Sequence, residues 1–350
     1  MPKIAAEKLE AICRGLLLGA TVPATEAATV ARHCVGANLA GHDSHGAIQI
    51  PGYIDRIKAG HIVPGAPFTI VQESATTTVV DGHWGFGYVI NEQAMALTIK
   101  KAETQNIAAC TVFRQGHVGR LASYPLMAAK AGMIGMAWAD SGRSPKSVAP
   151  FGGREARLGT NPWAIAVPSE LEGPLFIDMA TSSVAMGKVK LAQARGQKIP
   201  KGWVVDKDGQ LTDDPSKLQP GGALLPLGGT EGYKGYGLAV IGEILCGLMT
   251  GLGFGVEPSG RHNDGCFMLA IKVEAFRPLM AFRGEVKDLA EYLKATPPSE
   301  GSKGVLYPGE MEHRTEQDRR VNGIEIEDVT WNKLCDMAKA YGIAAELGIT

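Results

Sequence analysis

The hydrophobic period of this chain changes near residue 60, and that change limits the folds open to it more than any single motif does. Before it, apolar residues recur at helical spacing. Pro23 suits a helix's first turn, Ala27, Val30, Ala31 and Cys34 follow it at helical spacing, and after a turn at Gly41–Gly46 the residues Ile50, Ile54 and Ile57 share a face. From Phe68 short β-type runs begin, "FTIVQES" and "TTTVVDG", each bounded by turn residues. Further strands are expected at "IAACTVF", "MIGMAWAD", "NPWAIAVP", "PLFIDMAT" and "CFMLAIKVEAF". Helices are expected at "NEQAMALTIKKAETQN", "LASYPLMAAKAG" and Val286 to Ala295, and the charged run "EMEHRTEQDRRVNG" reads as a solvated helix. This is an α/β chain, but its alternation is too irregular for a doubly wound sheet.

Composition removes several classes of function. The 350 residues suffice for one large domain or two ordinary ones, and the 45 glycines are dispersed rather than repetitive. A formal net charge of -1 supplies no field for nucleic acid or an acidic membrane surface. The six cysteines are far apart with no CxxC pair, which fits reduced thiols in a cytoplasm. The opening "MPKIAAEKLEAICRGLLLGA" carries Glu7 and Glu10 inside its apolar pattern, so it reads as a first helix rather than a signal peptide. "GLAVIGEILCGLMTGLGFG", Gly237 to Gly255, has Glu243 in its middle and is interrupted by six glycines. It is expected to be a buried helix, not a membrane span.

No familiar cofactor or metal signature is present. Gly85-Phe86-Gly87 lacks a third glycine, and Gly235-Tyr236-Gly237 opens a helix without a preceding βα turn. GxxxxGK[ST], HExxH and GxSxG are absent, and no two of the eight histidines have helical ligand spacing. What stands out is a set of polar residues at predicted element ends: Asp43-Ser44-His45, His117, Asn161, Asp178, Lys188 and Lys234. Each alone has an ordinary reading as a turn or cap residue. Together they suggest a soluble α/β enzyme whose site sits at strand ends.

Six motifs in order are more specific: "GHDSHGAIQIPGY", "GTNPWAIAVP", "DMATSSVAMGK", "IPKGWVVDKDGQLTDDP", "GYKGYGLAVIGEIL" and "LYPGE" followed by "RRVNGI". From about Leu9 to Ala340 the chain resembles the malate/L-lactate dehydrogenase family, and within it the hydroxycarboxylate dehydrogenase B type. The resemblance implies a non-Rossmann NAD(P)-binding fold with a mostly antiparallel sheet and a helical domain made from both chain ends. That division would put residues 1–70 with 280–350 on the substrate side and 71–279 around the cofactor. It implies a homodimer, NAD or NADP as cofactor, and a 2-oxo or 2-hydroxy acid as substrate. Ser44 and His45 match the family's Ser-His pair, with the histidine acting on the substrate oxygen, and His117 matches a histidine near the active site. Asp178, Met179, Ala180 and Thr181 match a nucleotide-contacting strand end. Lys188, Tyr233, Lys234, Gly309 and Glu310 belong with them, and Asn161 in "GTNP" with the substrate side.

Three positions depart from the family pattern. Gln49 stands where many relatives carry an arginine that grips the substrate carboxylate, so the grip must come from Arg120, Arg143 or Arg154. Lys188 stands where the branch reducing cyclic imino acids has an aspartate, which ranks imine reduction second. Tyr233 replaces a frequent histidine. A neighbouring carboxylate such as Asp43 would raise the pKa of His45 if its side chain points that way.

Overall fold

The computed structural model describes residues 1–140, 146–256, 261 and 263–349. The two ends of the chain meet first. Strand β1 (Lys3–Ile4) pairs antiparallel with β12 (Ile324–Glu325), and helices α1 (Ala6–Gly19), α2 (Ala24–Leu39), α3 (Ile50–Lys58) and α10 (Asp328–Ala340) gather around that ribbon. In α1, Leu9, Ile12, Cys13, Leu16 and Leu17 lie on one stripe and are fully buried. They share a core with Val30, Ala31 and Cys34 of α2, Ile50 and Ile54 of α3, and Leu334 and Ala338 of α10. Each large side chain in it contributes about 1.5–3 kcal/mol by leaving water.

The central element is a seven-stranded sheet in the order β2-β3-β4-β11-β5-β6-β7. Its strands are β2 (Thr69–Glu73), β3 (Thr77–Gly85), β4 (Ile107–Gln115), β5 (Met133–Asp140), β6 (Trp163–Val167), β7 (Leu175–Met179) and β11 (Gly265–Lys272). Only β3 and β4 run parallel, joined by a crossover through α4 (Gly87–Gln105), and every other neighbour is antiparallel. Helices α4 and α5 (Ser123–Lys130) cover one face. The strands meet them with small residues, among them Ala108, Cys110, Ala137, Ala164, Ala166, Cys266 and Ala270, so the helices approach closely.

A smaller cluster forms beside β7. Strand β8 (Val204–Val205) pairs with β9 (Leu211–Thr212) around the Asp208-Gly209 turn and with β10 (Ala223–Leu224). Val148, Val189, Ile199, Leu218 and Leu224 pack there with Ala239, connecting α6 (Met186–Ala194) to α7 (Tyr233–Glu243). Helices α8 (Leu279–Lys294) and α9 (Glu310–Asn322) complete the chain.

One expectation is corrected. The glycine-rich segment is not a single buried helix: α7 gives way to a π-helical turn at Ile244–Leu248. Ile241, Ile244, Leu248 and Met249 are exposed, while Ala239, Gly242, Cys246 and Gly247 face inward. The inward face is built of small residues because it lies on the sheet, which leaves the larger side chains outside. Among the described residues no helix is long and apolar enough to cross a membrane.

Candidate active site

Sheet topology brings the polar residues together. Strand β11 is antiparallel to both β4 and β5, β6 is antiparallel to β5, and β7 is antiparallel to β6. The ends of β4, β5 and β7 and the starts of β6 and β11 therefore share one rim. His117 follows β4, Asp140 ends β5, Asp264 precedes β11, Asn161 precedes β6, and Asp178 lies in the last turn of β7. The 3-10 turn Asp43–His45 reaches the rim from the helical unit.

There the His45 ring stacks on that of His117, with centroids 5.6 Å apart and planes 16° from parallel. Ser44 Oγ lies 3.2 Å from His45 Nδ1, and Gln49 Nε2 donates to the Ser44 carbonyl at 2.6 Å, clasping the turn. The Tyr53 hydroxyl lies 2.8 Å from His117 Nδ1. Asp43 does not serve His45. Its carboxylate accepts from Asn38 Nδ2 at 2.6 Å and from both terminal nitrogens of Arg319 at 2.7 and 3.0 Å, so it anchors the turn to α9.

The electrostatics follow from that placement. Burial, with the nearby His42 and Arg120 charges, pushes the His45 pKa down to about 4 from an ordinary 6.5, and Asp264 opposes them weakly. At neutral pH its imidazole is uncharged. The Arg120 guanidinium lies over the Phe176 ring at 5.1 Å, and its Nε is buried with no hydrogen-bond partner among the described residues. Burial lowers the Arg120 pKa, with the carboxylates of Asp178, Glu312 and Glu316 acting against that. Burial raises the Asp178 pKa, although its carboxylate accepts from the Ala122 N–H at 2.8 Å and feels Arg120.

The other residues fall into three places. Thr181 hands its N–H to the Thr160 carbonyl and receives the Leu227 N–H at 2.8 Å, so the end of β7 lies beside the approach to α7. Tyr233 and Lys234 open that helix and Lys188 lies in α6, all three exposed. Gly309 packs at the other end of β7, where the Pro308 carbonyl accepts the Phe176 N–H. The Glu310 carboxylate is buried and held by Lys294 and Arg314, each at 2.6 Å. Asn161 turns inward, donating to the Ala239 carbonyl at 2.9 Å and to Glu243 at 3.0 Å. Its side chain thus braces α7 against the rim rather than facing the histidines. Arg154 is exposed against the Asp208-Gly209 turn, and Arg143 lies outside the described residues.

Tyr53, Tyr88 and Asp264 escaped the reading of the sequence. Tyr53 closes "GHDSHGAIQIPGY", but its periodicity marks it as a core position of α3. Asp264 accepts the Val118 N–H at 3.0 Å beside His117 and carries no local signal.

A mainly antiparallel seven-stranded sheet, with stacked histidines at its rim and no Rossmann unit, defines a dehydrogenase of a separate architectural class. The chain belongs to the malate/L-lactate dehydrogenase family, whose profile matches residues 4–335. It is 34% identical over 327 residues to hydroxycarboxylate dehydrogenase B of Escherichia coli O157:H7, covering 92% of this chain and 89% of that one. It is 37% identical over 331 residues to L-sulfolactate dehydrogenase of Methanocaldococcus jannaschii, covering 93% of each. The crystal structure of malate dehydrogenase from Entamoeba histolytica superimposes with a TM-score of 0.93 at 32% identity, over 97% of this chain and 98% of that one. The protein is thus an oxidoreductase acting on the hydroxyl of a hydroxy acid.

Proposed function

We propose that the protein interconverts a 2-oxo acid and its 2-hydroxy acid with NAD or NADP as hydride carrier. The observation that carries this reading is the His45–His117 stack at the rim, within electrostatic reach of the buried Arg120. The division into a substrate-side unit, residues 1–70 with 280–350, and a cofactor-side unit, 71–279, is part of the proposal. His45 comes from the first and His117 from the second, so the substrate lies between them.

His45 exchanges the proton of the substrate oxygen. With a pKa near 4 its free imidazole is ready to accept the hydroxyl proton during oxidation. A bound substrate carboxylate raises that pKa, so the same group can return the proton to the carbonyl oxygen in reduction. Ser44 orients the ring through Nδ1. Arg120 grips the substrate carboxylate in place of the charge that Gln49 lacks, because its buried Nε is a cationic donor still to be satisfied. When bound, the nicotinamide supplies or takes the hydride.

The main chain at Asp178 to Thr181 and the exposed Lys188, Tyr233 and Lys234 fit an extended, phosphate-bearing molecule. Gly309 and Glu310 contribute by positioning β7. A homodimer joined through the exposed face of α7, and a reducing, cytoplasmic setting for six buried free cysteines, complete the reading.

The test is consumption of each reduced nicotinamide with a panel of 2-oxo acids and, as the competing class, cyclic imines. Turnover of a 2-oxo acid, falling about 10²–10⁴-fold in His45→Ala with cofactor affinity retained, is the expected result. Preference for an imine, or full activity in the variant, would reject it.

A further inference from the structure

The phenol of Tyr88 belongs to neither histidine, yet it touches the supports of both. It donates to the His45 carbonyl at 3.2 Å, and the Tyr53 hydroxyl donates to it at 3.5 Å. Tyr53 in turn lies 2.8 Å from His117 Nδ1. The Tyr88 ring is fully buried, stacks on His33 at 5.1 Å, and fills the space where a Cβ on Gly119 would fall. Gly119 has a φ of +70°, in the turn that carries His117. One side chain at the start of α4 is therefore wedged between the two histidine-bearing turns.

The polarity of this chain of hydrogen bonds is fixed at one end. A carbonyl oxygen only accepts, so Tyr88 must spend its single proton on His45. Tyr88 then accepts from Tyr53, which uses Tyr53's single proton. Tyr53 can only accept from the third member, so His117 must carry its proton on Nδ1. That makes His117 Nε2 the accepting nitrogen, and bonds aligned in one direction reinforce one another.

We infer that Tyr88 is a positioning residue that sets the tautomer of His117 through Tyr53 while tying the His45 turn to the same phenol. The helical unit and the sheet rim are thereby locked into one proton-handling geometry. His117 Nε2 is then an acceptor for a hydroxyl proton, a second station beside His45. The inference rests on the dehydrogenase reading for its kinetic readout alone.

Tyr88→Phe keeps the ring, its stack and its wedge, and removes only the hydroxyl. The long-range ¹⁵N–¹H spectrum of the His117 imidazole in the intact protein reads the tautomer directly. The expected result is the Nδ1–H form in the native protein and a shift to the Nε2–H form in Tyr88→Phe, because Tyr53 then has only His117 to donate to. Tyr53→Phe, which breaks the chain one link earlier, should lose the fixed tautomer as well. In turnover, Tyr88→Phe should lower kcat about ten-fold or more, with KM for the reduced cofactor within about two-fold and a displaced pH profile. An Nε2–H form in the native protein, or an unchanged spectrum in Tyr88→Phe, overturns the inference. A panel without any oxidised or reduced hydroxy acid would overturn the functional reading instead and leave the spectrum to decide this one.

Discussion

At the scale of single residues, His45 shows how far position outweighs type. An ordinary imidazole titrates near 6.5, but burial beside His42 and Arg120 lowers this one to about 4. The unfolded chain thus takes up a proton between those values while the folded one does not. The stability contributed by its neutral form is complete above pH 6.5 and is lost as pH falls through 4. The acid limb of kcat/KM for hydroxy acid oxidation, which reports the free enzyme, should therefore fall near pH 4. A limb at 6.5 would mean that His45 is solvated or is not the base. Gln49 is equally a matter of placement. From sequence it marks a missing charge, whereas in the fold its amide holds the Ser44 carbonyl and shapes the turn.

Elements transmit such placement. Strand β7 ends at the rim, and Phe176 within it supports the Arg120 guanidinium. Gly309 lies against that strand with a φ of +96°, and a Cβ there would meet the Pro174 carbonyl and come within 2.7 Å of the Phe176 ring. Gly309→Ala should cost about 1–3 kcal/mol in a denaturant titration and weaken substrate binding more than cofactor binding. An unchanged midpoint would show that β7 does not depend on this contact. Glu310, read from sequence as a cofactor contact, has its carboxylate engaged by Lys294 and Arg314. This link between α8 and α9 could not be read from "LYPGE", since Lys294 lies in a different helix.

Across the whole molecule, the exposed side of α7 and its π turn is an apolar stripe, with Ile244 42% and Leu248 50% exposed. A stripe of this kind on a protein without a membrane-spanning helix among its described residues suits a second copy of the chain. Sedimentation should give a dimer for the native protein and a monomer for the pair Ile244→Lys and Leu248→Lys, each side chain pointing outward. A native monomer, or a dimer that survives both lysines, would place the interface elsewhere. The "buried" expectation for this segment failed because hydropathy reports what a helix excludes from water, not which molecule covers it.

Period and turn chemistry were enough to find the strands from "FTIVQES" to "CFMLAIKVEAF" and nearly every helix, because those signals are set by neighbours a few residues apart. Motif order was enough for the family, and with it the expectation of a mainly antiparallel sheet. Which side chains meet was decided only by the tertiary structure. Asp43 turns to Arg319, Asn161 turns to Glu243, and Tyr88 joins His45 to His117. Those contacts depend on sheet register and on how the helical unit docks on the rim, and both are settled by packing over the whole core rather than by any local stretch of chain.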